Sequence, residues 1–303
     1  MSNTTVFQRE LQTLKSRIIE KPYLQTQYLD LVPVNSEAKL WSDTYVWREL
    51  DGTVQYNLAL NGSTDSYEDV SAYATEQTVR IFKWGATASV TPEQRQAIND
   101  GALSINIMEY DLRTLRSNGE RYLDKVVLEG NPTTGTTGLF NNPNVPIYNV
   151  PNGAGGTPEF TTKTIDEIIT DHTTALTTME ANNDGTAMAD TIVYPRAVYN
   201  YLVGTRIPDN SMTLMEYLEM NVFGKWNINN VIKSPRLKEK GVGGVERIVI
   251  YWNNSEALEQ ITNLYTQQQD LEKSPTGRIT KGEIRTAGVL FYDPLSAIYV
   301  DGV

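Results

Sequence analysis

The C-terminal stretch RTAGVLFYDPLSAIYVDGV, Arg285–Val303, contains two apolar runs that are rich in strand-forming residues. Gly, Asp and Pro flank or separate these runs, as they commonly do around β-strands. The stretch therefore predicts that the chain ends in strands. Because the preceding residues alternate between helix and strand patterns, we expect these strands to return to a structure that began earlier in the chain. The sequence thus predicts an α+β fold.

A compact α/β unit is predicted before these strands, ending near Trp252. Its first helix begins at Thr164–Glu167, a capping box in which a Thr and a Glu side chain satisfy free backbone N–H groups. The residues DTIVYP, Asp190–Pro195, have a buried-strand pattern, and short helix and strand patterns follow. The segment EALEQITNLY, Glu256–Tyr265, fits either a helix or a strand.

A long helix is predicted before the α/β unit. It begins at Thr91, with Pro92 in the first helical position. Apolar residues then recur at helical spacing, at Ile98, Ala102, Ile105, Met108, Leu112, Leu115, Tyr122 and Val126. The pattern predicts one helix of about 35 residues, which at ~1.5 Å per residue is roughly 50 Å long. Asn118–Gly119 is its weak point, where the helix could kink or break.

The residues before the long helix have the two-residue period of β-strands. Val54, Tyr56, Leu58 and Leu60 alternate with polar or small residues, and Asn61–Gly62 is a hairpin signal. Such a long excursion has little of its own chain to pack on. We therefore expect it to pack on a neighbouring subunit.

The N-terminal residues predict a short amphipathic helix. Phe7, Leu11, Leu14 and Ile18 share one face of residues 6–21, and Pro22 follows. The pattern then loosens over residues 23–40. This arm can cross a surface, but it offers no core of its own and needs a surface to lie against.

The stretch GNPTTGTTGLFNNPNV, Gly130–Val145, has part of the spacing of a phosphate-binding loop. Gly130 and Gly135 fit that motif, and Thr137 stands where a magnesium-binding Ser or Thr belongs. Position 136, however, is Thr instead of the Lys that contacts the phosphates. The residues before the stretch also have a helix pattern, whereas a phosphate loop follows a strand. We expect a structural loop and no nucleotide site.

Composition excludes several kinds of chemistry. The chain of 303 residues has no Cys and one His, and its formal net charge is -11. Without Cys there is no disulfide, thiolate metal site or cysteine nucleophile. His172 lies on an apolar helix face, which is typical of a packed histidine. We expect no catalytic residue, cofactor or metal, no membrane span, and folding in the cytoplasm of the producing cell.

Three segments together resemble a known family. They are LVPVNSEA from Leu31, GTTGLFNNPNV from Gly135, and the C-terminal stretch from Arg285. Over residues 22–303 the chain resembles the major capsid proteins of tailed bacteriophages, which have the Hong Kong 97-like fold. The similarity is to one branch of that family, which includes encapsulin-like shell proteins.

The resemblance implies a division of the chain into five parts. These are an N-terminal helix and arm (1–43), an extended β-hairpin loop (44–80), a peripheral domain with the spine helix (81–130), an axial domain (131–252) and strands that return to the peripheral domain (253–303). It also implies that the extended loop lies over an adjacent subunit. The candidate contacts of that loop are Val54, Tyr56, Leu58, Leu60 and Tyr67.

The function that the resemblance implies is assembly instead of catalysis. The chain would form the hexamers and pentamers of an icosahedral shell enclosing double-stranded DNA, as part of a virion assembled in the host cytoplasm. The alternative is a nanocompartment shell that encloses an enzyme cargo. A separate scaffolding protein and a portal are implied partners, and a decoration protein is left open. Because no Lys lies between Lys39 and Lys83, the covalent crosslinking found in some relatives is not expected.

Overall fold

The computed structural model describes residues 24–39, 41–53, 71–100, 107–208, 211–265, 272–274 and 277–303. Its α-helices are α1 (Tyr28–Leu31), α2 (Pro92–Asn99), α3 (Ile107–Glu129), α4 (Ile165–Asn182), α5 (Arg196–Gly204) and α6 (Leu214–Asn221). Its strands are β1 (Val34–Asn35), β2 (Thr44–Thr53), β3 (Ser71–Arg80), β4 (Phe82–Val90), β5 (Ile147–Asn149), β6 (Thr191–Pro195), β7 (Asn230–Ser234), β8 (Arg247–Tyr251), β9 (Leu258–Tyr265), β10 (Glu272–Ser274), β11 (Gly277–Phe291) and β12 (Ala297–Asp301).

Within these ranges the strands form two five-stranded sheets and one two-stranded ribbon. The first sheet has the order β1-β9-β11-β10, with β4 also paired to β11. The second sheet has the order β5-β12-β8-β6-β7. The ribbon consists of β2 and β3. Every residue of β6, β8 and β12 is buried, as expected for strands that are covered on both faces.

The long helix α3 packs against the first sheet. Leu115 lies directly over β11, where a Cβ added to Gly282 would be 2.9 Å from its Cδ2. Further along the helix, Leu123, Val127 and Leu128 are completely buried. Gly130 follows the helix with φ of 72°, a backbone conformation that favours glycine at a helix C-terminus.

The sequence predicted that the helix could kink or break at Asn118–Gly119, and no break occurs there. Asn118 and Gly119 lie within α3, which continues through them without interruption. Contacts on both sides hold this turn to the sheet, because Leu115 packs on β11 and the Tyr122 ring lies 5.7 Å from that of Trp84 in β4. The predicted continuity between α2 and α3 falls on residues 101–106, which are outside the described part.

The C-terminal strands are divided between the two sheets. The undecided segment Glu256–Tyr265 contributes strand β9, which pairs with β1 and β11 in the first sheet. The last strand, β12, instead pairs with β8 and β5 in the second sheet. The expectation that all strands after residue 253 complete the peripheral domain is therefore corrected for Ala297–Asp301. The pairing of β12 with β8 and β5 decides its sheet, and all five of its residues are buried there.

Candidate assembly surfaces

The ribbon of β2 and β3 is the most extended feature of the described chain. Its strands form a ten-pair antiparallel register from Thr44–Arg80 to Thr53–Ser71. In the described residues these strands pair only with each other. Arg48 and Glu76 form a salt bridge across it, but both side chains are exposed, so the pair adds little stability. An isolated two-stranded hairpin is marginally stable in water, so a further surface would stabilise it.

The predicted contact residues of this excursion lie beyond the end of the ribbon. The segment that joins Thr53 to Ser71 is outside the described residues. It contains all five candidates, Val54, Tyr56, Leu58, Leu60 and Tyr67. The ribbon therefore leads directly to these residues, and their contacts stay a prediction.

Aromatic side chains fix the base of the ribbon to the first sheet. The Trp47 ring packs edge-on against Tyr292, with centroids 5.7 Å apart, and lies 6.4 Å from the Tyr45 ring. Glu259 accepts hydrogen bonds from Asn35 Nδ2 (2.7 Å) and from the Tyr292 hydroxyl (3.0 Å). Burial raises the pKa of Tyr292, so its hydroxyl stays protonated and donates. These contacts set the direction in which the ribbon leaves the subunit.

A second junction joins the N-terminal arm, α3 and the α/β unit at one carboxylate. Asp124 is 1% exposed, and its Oδ1 accepts the backbone N–H groups of Gln27 (2.6 Å) and Tyr28 (3.0 Å). Its Oδ2 accepts a hydrogen bond from Arg236 Nε at 2.5 Å. The carboxylate thus satisfies free N–H groups at the start of α1 and neutralises a guanidinium of the α/β unit.

Glu129, at the end of α3, strengthens this junction. Its Oε1 accepts from Arg236 Nη1 (2.9 Å) and its Oε2 from Lys240 Nζ (2.9 Å). Burial alone would raise the pKa of Glu129, but the hydrogen bonds from Lys240 and Arg236 lower it below its ordinary value. The carboxylate therefore stays charged at neutral pH and holds both cations.

The Gly130–Val145 loop is held by a buried ion pair. Arg247 forms a two-bond pair with Asp301, with Nε to Oδ1 at 2.6 Å and Nη2 to Oδ2 at 2.7 Å. The remaining Nη1 donates to the carbonyl oxygen of Phe140 in the loop at 2.8 Å. The guanidinium also lies 4.2 Å from the centroid of the Tyr299 ring. Its donors are thus engaged by the protein itself.

Hydrogen bonds to the backbone and a close backbone approach also hold this loop in place. The Tyr299 hydroxyl donates to the carbonyl oxygen of Leu139 (2.7 Å) and accepts the N–H of Asn142 (3.0 Å). A Cβ at Gly138 would be 2.4 Å from the backbone nitrogen of Gly130, so glycine is required for this close approach. The loop connects α3 to the second sheet, in agreement with the structural role expected from the missing lysine.

His172 lies in the core of the α/β unit. Its Nδ1–H donates to the carbonyl oxygen of Ile168 at 2.7 Å, and its ring lies 5.3 to 6.0 Å from those of Phe160, Tyr194 and Phe223. The Nε2 atom is buried without a hydrogen-bond partner among the described residues. Burial lowers the pKa of the imidazole to about 4, so it is neutral at pH 7. The ring packs, as its apolar helix face predicted.

The buried ion pairs are the features that sequence reasoning missed. Besides the two junctions above, Lys163 Nζ lies 2.5 Å from Asp171 Oδ2, and both side chains are almost fully buried. One local signal was available, because Arg247 and Asp301 border the apolar runs IVIY and AIYV. A charged residue at the edge of a buried strand is almost always paired.

The described residues contain no group of three or more His, Cys, Asp or Glu side chains that could hold a metal ion. None of the helices in the described part combines the length and the apolar character that crossing a lipid bilayer requires.

Comparison with known proteins identifies similar sequences and folds. A family model described as "Major capsid protein" matches residues 58–303. No curated protein matches the chain. Among solved structures, the capsid of Myoviridae phage XM1 has a TM-score of 0.81 at 15% identity and covers 100% of both chains. The capsid of a native GTA particle has a TM-score of 0.64 at 10% identity and covers 99% of this chain and 98% of that one.

A third similar structure comes from Gordonia phage Cozz, with a TM-score of 0.57 at 14% identity over 96% of this chain and 90% of that one. At such low identities these matches concern the fold. They confirm the α+β, Hong Kong 97-like fold that the sequence predicted.

Proposed function

The chain belongs to the major capsid protein family, and from this membership we propose that its copies tile into the hexamers and pentamers of an icosahedral shell that encloses double-stranded DNA. The protein is a structural component of a phage shell and thus of the virion. Shell stability would arise from weak contacts repeated many times, since linked contacts bind far more tightly than single ones. The proposed partners are copies of itself, a separate scaffolding protein and a portal.

The observation that carries the assembly proposal is the ribbon. Ten residue pairs connect Thr44–Thr53 to Ser71–Arg80, and the strands pair only with each other in the described residues. Its base is held firmly by Trp47, Tyr292 and Glu259. A ribbon that is rigid at its base and unsupported along its length supports a role in reaching an adjacent subunit.

The same reasoning supports a division into functional parts. We assign the extended loop to residues 44–80, the peripheral domain to 81–130 together with β9, β10 and β11, and the axial domain to 131–252 together with β12. The inclusion of β12 follows from its pairing with β8 and β5. The axial domain would lie around the centres of the hexamers and pentamers.

The net charge of -11 supports a container for nucleic acid over a nucleic-acid-binding protein. A chain with this net charge has little long-range attraction for phosphates, so it would not impede DNA that is driven into the shell. Alternatively, the shell could be a nanocompartment that holds an enzyme cargo. The contents of purified shells, DNA or protein, decide between the two. No catalytic role is proposed, because the single histidine is buried without access to a substrate.

The loop assignment is tested by the double variant Leu58→Asp with Leu60→Asp. These side chains share one face of the strand pattern, so two carboxylates there should block burial against a neighbour. The expected product is soluble monomers or capsomers in light scattering. The matched control is Asn57→Asp with Ala59→Asp, which places the same charges on the opposite face and should still form shells. Intact shells from the Leu58 and Leu60 variant would refute the assignment.

A further inference from the structure

An apolar groove lies between α3 and the first sheet. It has a volume of about 350 Å3. Its apolar walls come from Trp84 and Ala86 of β4, Leu115 and Tyr122 of α3, and Ile284 of β11. Trp84, Leu115 and Tyr122 are partly exposed, so a large aromatic and aliphatic surface faces solvent in the described residues. Surfaces of this kind commonly mark a site of contact with another segment.

Glycine is present on all three elements that form the groove. Gly85 of β4, Gly282 of β11 and Gly119 of α3 all line it. The register places Gly85 opposite Glu283 and Gly282 opposite Ala86, so small residues are adjacent on the paired strands. The glycine in the middle of α3 is costly for a helix, by ~1 kcal/mol relative to alanine. At Gly282 an added Cβ would lie 2.9 Å from Leu115 Cδ2, so glycine at this position lets α3 approach the sheet closely.

The N-terminal arm starts next to this groove. Leu24, the first described residue, lies with Gln25 and Thr26 against Ser117, Glu120 and Arg121 of α3. The groove is lined by the neighbouring helix positions Arg116, Asn118 and Gly119. The salt bridge from Arg116 to Glu120, with Nε 3.1 Å from Oε1, joins the two surfaces, because Glu120 lies beside the arm and Arg116 lines the groove. The chain that precedes Leu24 must therefore leave from the immediate vicinity of the groove.

The preceding segment has the pattern that such a groove needs. Residues 6–21 predict an amphipathic helix whose apolar face contains Phe7, Leu11, Leu14 and Ile18. This face needs a surface, which is why the sequence predicts that the segment lies against something. Ile18 precedes Leu24 by six residues, and an extended chain covers at most ~3.6 Å per residue, so Ile18 can reach ~20 Å from Leu24. Because Leu24 lies beside Ser117, which is next to the groove residue Asn118 in α3, the groove is within this reach.

We propose that residues 6–21 of the same chain dock in this groove, with Ile18 or Leu14 beside Trp84 and Ala86. Docking would bury the apolar walls of the groove. Outside its apolar face, the segment carries Arg9, Lys15, Arg17 and Lys21 and the acidic residues Glu10 and Glu20. The position of Leu24 beside α3 favours docking within one subunit over docking between subunits.

The absence of cysteine makes disulfide trapping a clean test. Ile18→Cys is combined with Ala86→Cys, and Leu14→Cys with Ala86→Cys provides the alternative register. Ser16→Cys with Ala86→Cys is the matched control, because Ser16 lies on the opposite face of the predicted helix. After mild oxidation of assembled protein, non-reducing gels and mass spectrometry identify bonds within one chain or between chains.

The proposal predicts a bond within one chain for Ile18 or Leu14, at a yield at least about tenfold above that of the Ser16 control, because docked thiols have a high effective concentration. Equal yields for all three pairs, or no bond with any pair, would overturn the proposal. Bonds between chains would also overturn it, and would instead assign the groove to the segment of a neighbouring copy.

Discussion

Arg236 in the α/β unit lies with its Nε 2.5 Å from Oδ2 of Asp124 in the long helix α3. The other oxygen of this carboxylate accepts the N–H groups of Gln27 and Tyr28 at the start of α1. Three parts of the subunit are therefore joined at one buried carboxylate. Force applied to the arm or the α/β unit in a shell would pass through this junction to α3.

Replacing Asp124 by Ala should destabilise the subunit strongly. The change leaves two backbone N–H groups and the Arg236 guanidinium without their buried acceptor, and breaking such a pair costs about 3 kcal/mol. The free energy of unfolding, measured by urea denaturation of unassembled protein, should fall by this amount. Asp111→Ala, at a partly exposed position of the same helix, is the control and should change stability by less than about 0.5 kcal/mol. Equal losses of stability for Asp124→Ala and Asp111→Ala would contradict a stabilising role for the junction.

Substitutions of Arg247 and Asp301 should be strongly coupled in their effects on the free energy of unfolding. Arg247→Met leaves Asp301 as a buried charge without its main partner, at a cost of about 3 to 5 kcal/mol. The double variant with Asp301→Leu removes both charges and should recover much of that loss. A double-mutant cycle on the unfolding free energy measures the coupling. Strictly additive single effects would contradict the pairing.

Gly288→Ala should be much more harmful than Gly135→Ala. Both glycines have positive φ, at 81° and 69°, so alanine is strained at either position. At Gly288 the added Cβ would also lie 2.4 Å from both Thr136 Cγ2 and the carbonyl oxygen of Thr137, whereas at Gly135 nothing lies within 4 Å. Urea midpoints should therefore fall further for Gly288→Ala. Similar midpoints for the two variants would argue against the tight packing of the loop on β11.

His172 should make the α/β unit sensitive to acid. Burial lowers its pKa to about 4 in the folded protein, from an ordinary value of 6.5. The unfolded chain therefore binds a proton first as pH falls, so the contribution to stability is fully present above pH 6.5 and is lost as pH falls towards 4. The total is about 3 kcal/mol, at 1.36 kcal/mol per pKa unit.

The measurement is the unfolding free energy between pH 7 and pH 4.5, compared with that of His172→Phe. The variant keeps a ring among Phe160, Tyr194 and Phe223 but cannot bind the proton, so its stability should fall less with pH. Identical pH profiles would exclude His172 as the cause. Because it is the only histidine of the chain, its titration can also be followed directly by NMR.

Local sequence signals predicted the parts of this fold that depend on neighbouring residues. The capping box at Thr164 and Glu167 is present, with the Thr side chain accepting the Glu167 N–H and the Glu side chain accepting the Thr164 N–H. A structural loop was also predicted at Gly130–Val145, and this stretch joins α3 to β5. Both inferences need only residues a few positions apart, where geometry follows from chain connectivity.

Long-range pairing could not be predicted in the same way. Asp124 and Arg236 are 112 positions apart, and Arg247 and Asp301 are 54 apart. With 26 basic and 37 acidic residues, no local pattern indicates which charges meet. The last strand shows the same limit, because its apolar residues suit either sheet and only the pairing with β8 decides. At Asn118–Gly119, packing on the first sheet overrode the weak helix propensity.

Electron microscopy of the purified chain, expressed with a candidate scaffolding protein and separately without it, tests the central claim most directly. Assembly predicts closed or tubular shells built from hexameric units in at least one of the two preparations. Light scattering of the same fractions measures how much of the protein has assembled. A strictly monodisperse small species in both preparations would contradict the account.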